Sequence, residues 1–266
     1  MINKTESGSN PFTLVAFCVF VLLAAFFGNG VAIAQSSQND TLSQDSAADT
    51  SDTYGTVAFA AIDFSNDDNN RVIGGSAGFV TALNGDISAE GWTLTAIGGS
   101  SNVNSFSANS NSGFVAGTVG HLWQEKDYYF TVGAGAHYIN DGGFISDEGD
   151  ADGDELGAIF QYGIETKPRN SIYFQSFGSY STALQQQFAN VKVGYATSSL
   201  IYGGEFIYSD SEDSSGARRY GAFITGISLP KNTNVIISGG YEDDRDLGTD
   251  DGFYASIGVS VPISFN

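Results

Sequence analysis

The chain has 266 residues, a formal net charge of −20 and only 15% charged residues, with 34 glycines and 13% aromatics. With 10 Lys and Arg in all, a nucleic-acid partner is excluded, because neutralising phosphates takes clustered cations. The single cysteine, Cys18, sits in the N-terminal apolar run, so disulfides, thiolate metal sites and a cysteine nucleophile are excluded from the rest.

Residues 1–34 read as a secretory signal peptide. Lys4 precedes an apolar run from Phe12 to Phe27, and Ala32-Ile33-Ala34 is a small-x-small cleavage site, with Gln35 the first mature residue. The run is shorter than the roughly 20 residues of a spanning helix. Phe17 stands where a lipoprotein signal needs a small residue before its cysteine. Residues 35–53 are Ser, Asp, Gln and Ala with no apolar period, and read as a disordered leader.

From Tyr54 the chain repeats one unit, an extended stretch followed by a connector. The stretches are 54–64, 71–83, 91–102, 113–123, 128–140, 155–166, 171–182, 188–197, 200–209, 219–229, 234–241 and 253–265. In 128–140 one face reads Tyr128, Phe130, Val132, Ala134, Ala136, Tyr138, an apolar stripe with a tyrosine at each end. In 155–166, Leu156, Ala158, Phe160, Tyr162 and Ile164 oppose Gly157, Ile159, Gln161, Gly163 and Glu165. In 188–197, Val191, Val193 and Tyr195 oppose Lys192 and Gly194. The parity of 54–64, 113–123 and 171–182 stays open. The last stretch alternates most clearly: Phe253, Ala255, Ile257, Val259, Val261, Ile263 and Phe265 are all apolar. It is longer than a typical globular strand and ends on an aromatic, one residue before Asn266.

The connectors sort by side. The even ones are mostly tight: 124–127, 167–170, 198–199 and 230–233, with Asn84-Gly85-Asp86 opening the first. The odd ones are longer and acidic or small-polar: 65–70, 103–112, 141–154, 210–218 and 242–252. Short turns on one side and long loops on the other are the asymmetry of outer-membrane barrels. The predicted fold is all-β: a single closed antiparallel transmembrane β-barrel of about twelve strands over 54–266, with short periplasmic turns, longer acidic extracellular loops and both ends periplasmic. The closing pair is 54–64 with 253–265.

Several fragments together resemble the cellulose biosynthesis protein BcsS family. They are Ala82-Leu83-Asn84-Gly85-Asp86 with Gly91-Trp92, Gly178-Ser179-Tyr180-Ser181-Thr182, Val191-Lys192-Val193-Gly194-Tyr195, Arg219-Tyr220-Gly221-Ala222-Phe223, and Gly239-Gly240-Tyr241 with Asp244-Arg245. The resemblance implies an outer-membrane protein tied to bacterial cellulose or exopolysaccharide production. Its implied partners are outer-membrane lipid, lipopolysaccharide, the glycan and the cellulose synthesis machinery. It supplies no catalytic motif.

The densest carboxylate cluster is Asp147, Glu148, Asp150, Asp152, Asp154 and Glu155. Its Asp-x-Asp-x-Asp spacing matches the start of a calcium loop, but Glu155 stands where the turn glycine belongs and Gln161 where the bidentate glutamate belongs. A solvated extracellular loop is the expected role, with no metal or cofactor. Catalysis would rest on His121 or His137, the latter with Ser146 or Asp141, and no nucleophile elbow of the G-x-S-x-G type is present. Parity turns Tyr129, His137, Gln161, Glu165, Lys192 and Glu205 inward as candidate lumen and glycan contacts, since aromatics, amides and carboxylates suit sugars. The expected function is a non-enzymatic glycan pore or surface accessory. A narrow small-solute channel and a phospholipase- or protease-like barrel are the alternatives.

Overall fold

The computed structural model describes residues 54–66, 70–105, 109–142, 154–167, 171–211, 214–244 and 252–264. The signal and leader assigned to 1–53, the acidic run 147–153, Ser146 and the terminal Phe265 lie outside the described residues.

Twelve strands follow in the predicted order: β1 (Thr56–Asn66), β2 (Asn70–Ala82), β3 (Gly91–Ser105), β4 (Asn109–Gln124), β5 (Tyr128–Gly142), β6 (Asp154–Thr166), β7 (Ile172–Ser181), β8 (Gln187–Ala196), β9 (Ile201–Ser211), β10 (Ser214–Leu229), β11 (Thr233–Asp244) and β12 (Gly252–Ile263). Each pairs antiparallel with its sequence neighbour, and β12 closes the barrel on β1 in a register running from Thr56 opposite Ile263 to Asn66 opposite Phe253. Closure pairs every strand on both sides, which removes the sheet edges a bilayer cannot satisfy.

Period-two alternation decides the two faces. In β12 Phe253, Ala255 and Ile257 are exposed, while Tyr254, Ser256 and Ser260 are buried. The parity left open in β1 resolves as Ala58, Ala60, Ile62 and Phe64 outward and Val57, Phe59, Ala61 and Asp63 inward. The outer face carries Ile62, Phe79, Leu94, Val115, Val119, Val132, Phe160, Val193 and Ile257, all large apolar residues at least 41% exposed. Apolar exposure on that scale calls for lipid as the solvent. Aromatic residues border it at both ends. On the side of the tight turns, Trp92 packs edge-on to His121 (centroids 5.1 Å), His121 lies 4.5 Å from Trp123, and Trp123 stacks on Phe130. On the other side Tyr220 pairs with Tyr241 in register and packs on Phe206.

The tight connectors fall where predicted: 125–127, 167–171, 197–200 and 230–232. The opposite side differs. The predicted loop 103–112 is mostly strand, because β3 runs to Ser105 and β4 starts at Asn109. Two of its polar residues pair across the hairpin instead of turning: Ser112 shares a hydrogen bond of 2.8 Å with Ser101 inside, and Asn111 accepts from Asn102 outside. The predicted loops 65–70 and 210–218 likewise shrink to 67–69 and 212–213 between strands. The wall therefore rises beyond the apolar band on this side.

Glycines set the curvature inside. Gly194 faces Gly203, and Gly221 faces Gly240, on the inner surface of neighbouring strands. A Cβ on Gly194 would fall within the van der Waals envelope of the Tyr202 carbonyl, and one on Gly203 within that of Val193. The sheet bends too sharply at these pairs for any side chain.

Candidate functional site

All six predicted inward residues face the interior. They do not form one cluster. Tyr129 is buried on β5, and Lys167 from the β6–β7 turn lies 4.7 Å from its ring centroid. His137, fully buried, shares a hydrogen bond of 2.9 Å between its Nδ1 and Ser181 Oγ, and packs edge-on to Phe114. The partners predicted for it, Ser146 and the Asp141 side chain, lie outside what is described; the residue found at its Nδ1 is Ser181, from β7. Gln161 accepts from Thr118 Oγ1 at 3.3 Å across β5. Glu165 is buried and accepts from the Tyr173 hydroxyl at 2.7 Å. Lys192 and Glu205, directly opposite each other on β8 and β9, form a buried ion pair of 3.4 Å. His121, the other catalytic candidate, faces outward between two indoles.

The pair of Lys192 and Glu205 belongs to a larger network that parity alone does not reveal. Tyr254 on β12 donates to Glu205 at 2.9 Å, reaching over β10 and β11. The Tyr254 ring lies 5.0 Å from the Arg219 guanidinium. Arg219 on β10 pairs with Asp63 on β1 at 3.1 Å and with Glu242 on β11 at 3.2 Å. Ser65 donates to the same Glu242 at 2.6 Å. On the other flank Lys192 lies over Phe223, whose ring packs on Tyr173, the partner of Glu165. An unbroken string of contacts thus runs from Glu165 to Asp63 across the barrel.

Burying a charge without partners costs several kcal/mol, so Lys192 and Arg219 are each held against carboxylates, and Glu165, Glu205 and Glu242 accept from hydroxyls. The arginine suits the central place because its planar fork meets two carboxylates at once. Apolar side chains form one buried cluster in the same interior: Phe59, Ile97, Phe114, Ile139, Ile159, Phe177, Phe188 and Ile207 are each at most 4% exposed. The β7–β8 connector adds to this filling. Ala183 is fully buried, Leu184 N donates to Glu155 Oε2 at 2.7 Å, and Thr182 N donates to the Ala158 carbonyl. Leu184 and Gln185 accept left-handed backbone conformations (φ 52° and 47°) to make this inward fold.

Sequence reasoning missed Asp63, Arg219, Glu242, Tyr254 and Tyr173. Arg219 had a signal, alternating with Tyr220 and Ala222 on the outward face, but Asp63 on β1 comes within its reach only when the barrel closes, and Glu242 faces it only through the register of β10 against β11.

No curated protein matches the chain in sequence. Among solved structures, an outer membrane channel from Pseudomonas putida F1 aligns with TM-score 0.53 at 10% identity, over 83% of this chain and 98% of that one. The β domain of the Bordetella autotransporter BrkA aligns with TM-score 0.46 at 15% identity, over 80% of this chain and all of that one. The KdgM porin gives 0.45 at 8% identity, over 77% and 99%. The likeness to the first is one of fold: a closed outer-membrane-type barrel. The sequence itself matches a described family over residues 57–263, the whole barrel from β1 to β12. The chain belongs to the cellulose biosynthesis protein BcsS family.

Proposed function

We propose that this barrel is exported by a cleaved signal peptide at 1–34, inserts in the outer membrane, and serves cellulose or a related exopolysaccharide as a non-enzymatic surface accessory. The observation that carries this reading is the filled interior. A hydrated glycan needs a continuous polar passage, whereas here the Arg219–Asp63 and Tyr254–Glu205 contacts cross between non-adjacent strands and apolar side chains pack around them. On this reading the interior residues brace the wall, and glycan contact falls to the surface. The same filling weighs against a small-solute channel. Catalysis has no support in the His137–Ser181 pair, whose members are 0% and 2% exposed and out of a substrate's reach. Membership of a cellulose biosynthesis family supports the link to the glycan.

Deletion tests the reading. Cells lacking the protein should still synthesise and export cellulose, while the cell-attached fraction falls. A variant carrying His121→Gln and His137→Asn should restore it, with heat-modifiable migration confirming assembly. Cellulose trapped in the periplasm after deletion would instead identify a conduit and overturn the accessory reading.

A further inference from the structure

The wall above the apolar band carries an unusual row of side chains. Asn66 on β1 stands opposite Arg71 on β2, and Arg71 opposite Asn104 on β3. One step lower, Asn102 stands opposite Asn111 on β4, with Asn140 on β5 diagonal to it. All six share the outward parity of the lipid-facing residues below them, such as Leu94, Val115 and Ala136. Arg71, Asn104, Asn111 and Asn140 are exposed, and Asn66 and Asn102 are half-buried.

Three of the amides are tied to one another. Asn104 Nδ2 donates to Asn102 Oδ1 at 2.6 Å, and Asn102 Nδ2 donates to Asn111 Oδ1 at 2.5 Å. Asn140 in turn donates to Asp154, which also accepts from the Tyr138 hydroxyl at 2.8 Å. A primary amide has two donors and two acceptor sites. One or two ladder bonds fix its plane and leave capacity for a ligand. At the first end of the row, the Arg71 guanidinium lies 5.4 Å from the Phe64 ring centroid, and Phe64 packs on Phe253.

We propose that this belt is a docking track for a neutral, hydroxyl-rich polysaccharide chain, a β-glucan of the cellulose class. The inference rests on the accessory reading and names the surface that would perform it. Three features argue for that occupant. Hydroxyls both donate and accept, which amides match and carboxylates do not. The row crosses five strands, about 20 Å at the usual strand spacing, so it fits an extended polymer rather than a single sugar. Charge excludes the competitors: with a net charge of −20 the chain repels polyanions, and a phosphorylated lipopolysaccharide core needs several cations where the belt has one, Arg71. Among the described residues the outer end of the opposite wall carries Asp210, Arg218 and Asp243 instead.

The test uses the full barrel in detergent, run through native gels containing hydroxyethylcellulose, polygalacturonate or purified lipopolysaccharide. Hydroxyethylcellulose should retard the wild type. The triple variant Asn102→Ala, Asn104→Ala, Asn111→Ala should bind it about tenfold more weakly, the loss of one to two net hydrogen bonds, with unchanged heat-modifiable migration. An unretarded wild type, equal retardation of the triple variant, or stronger retention by either anionic polymer overturns the proposal. If the belt binds as expected while deletion leaves cell-attached cellulose intact, the accessory reading fails and the docking track stands. If deletion behaves as proposed but the triple variant binds normally, the failure is the track's alone.

Discussion

Replacing Arg219 by methionine should lower the stability of the folded barrel by about 3–5 kcal/mol. Asp63 and Arg219 are both about 1% exposed, so removing the cation strands the Asp63 carboxylate in the interior with a second carboxylate, Glu242, beside it. The cost is the uncompensated charge, not the lost attraction alone. The triple variant Asp63→Asn, Arg219→Met, Glu242→Gln should therefore recover much of the loss, because neutral amides replace both stranded carboxylates. Urea unfolding in detergent reads both, with Trp92 and Trp123 as the chain's two indole reporters. A shift under about 1 kcal/mol for Arg219→Met, the range of an exposed pair, would show that the network is solvated.

The second large effect belongs to the glycine pairs. Gly194→Val should abolish the folded, heat-modifiable form. Its side chain would enter the Tyr202 carbonyl on the adjacent strand, and the facing position is itself a glycine, Gly203, equally short of room. Neither neighbour is a flexible side-chain tip that moves aside, so the clash must be relieved by parting β8 from β9. Gly204→Ala is the control one position along. Its Cβ points outward and meets nothing nearer than the Gly221 carbonyl at 3.8 Å. The alanine variant should assemble like the wild type. Normal assembly of Gly194→Val would mean that the strands do not approach so closely there.

Much of this fold was legible because a barrel writes itself in period two. Phe253 to Ile263 announced the outer face of β12, and Tyr128 to Tyr138 that of β5, since lipid selects alternate residues over a whole strand. The inward orientation of Lys192 and Glu205 followed from the same rule. Strand ends were less legible. The Asn and Ser residues of 103–112 look like loop formers, yet Asn111 and Ser112 pair with Asn102 and Ser101 across a hairpin that continues above the membrane. The interior network was the least legible part. Asp63 sits in a stretch apolar on both faces, and its partner Arg219 lies 156 positions away. Closure and strand tilt decide that meeting, and neither leaves a local trace in sequence. The face of His121 stayed open for a related reason. A histidine alone carries no face label, and its place between Trp92 and Trp123 depends on the register of β3 against β4.

The most direct test of a filled barrel is electrical. Purified full-length protein, reconstituted in planar bilayers, is expected to give no stable conductance steps, with or without cello-oligosaccharides, while Arg219→Met in an assembled fraction gives intermittent ones. Stable steps from the wild type, blocked on adding cello-oligosaccharides, would contradict the filled interior and make this barrel a glycan conduit.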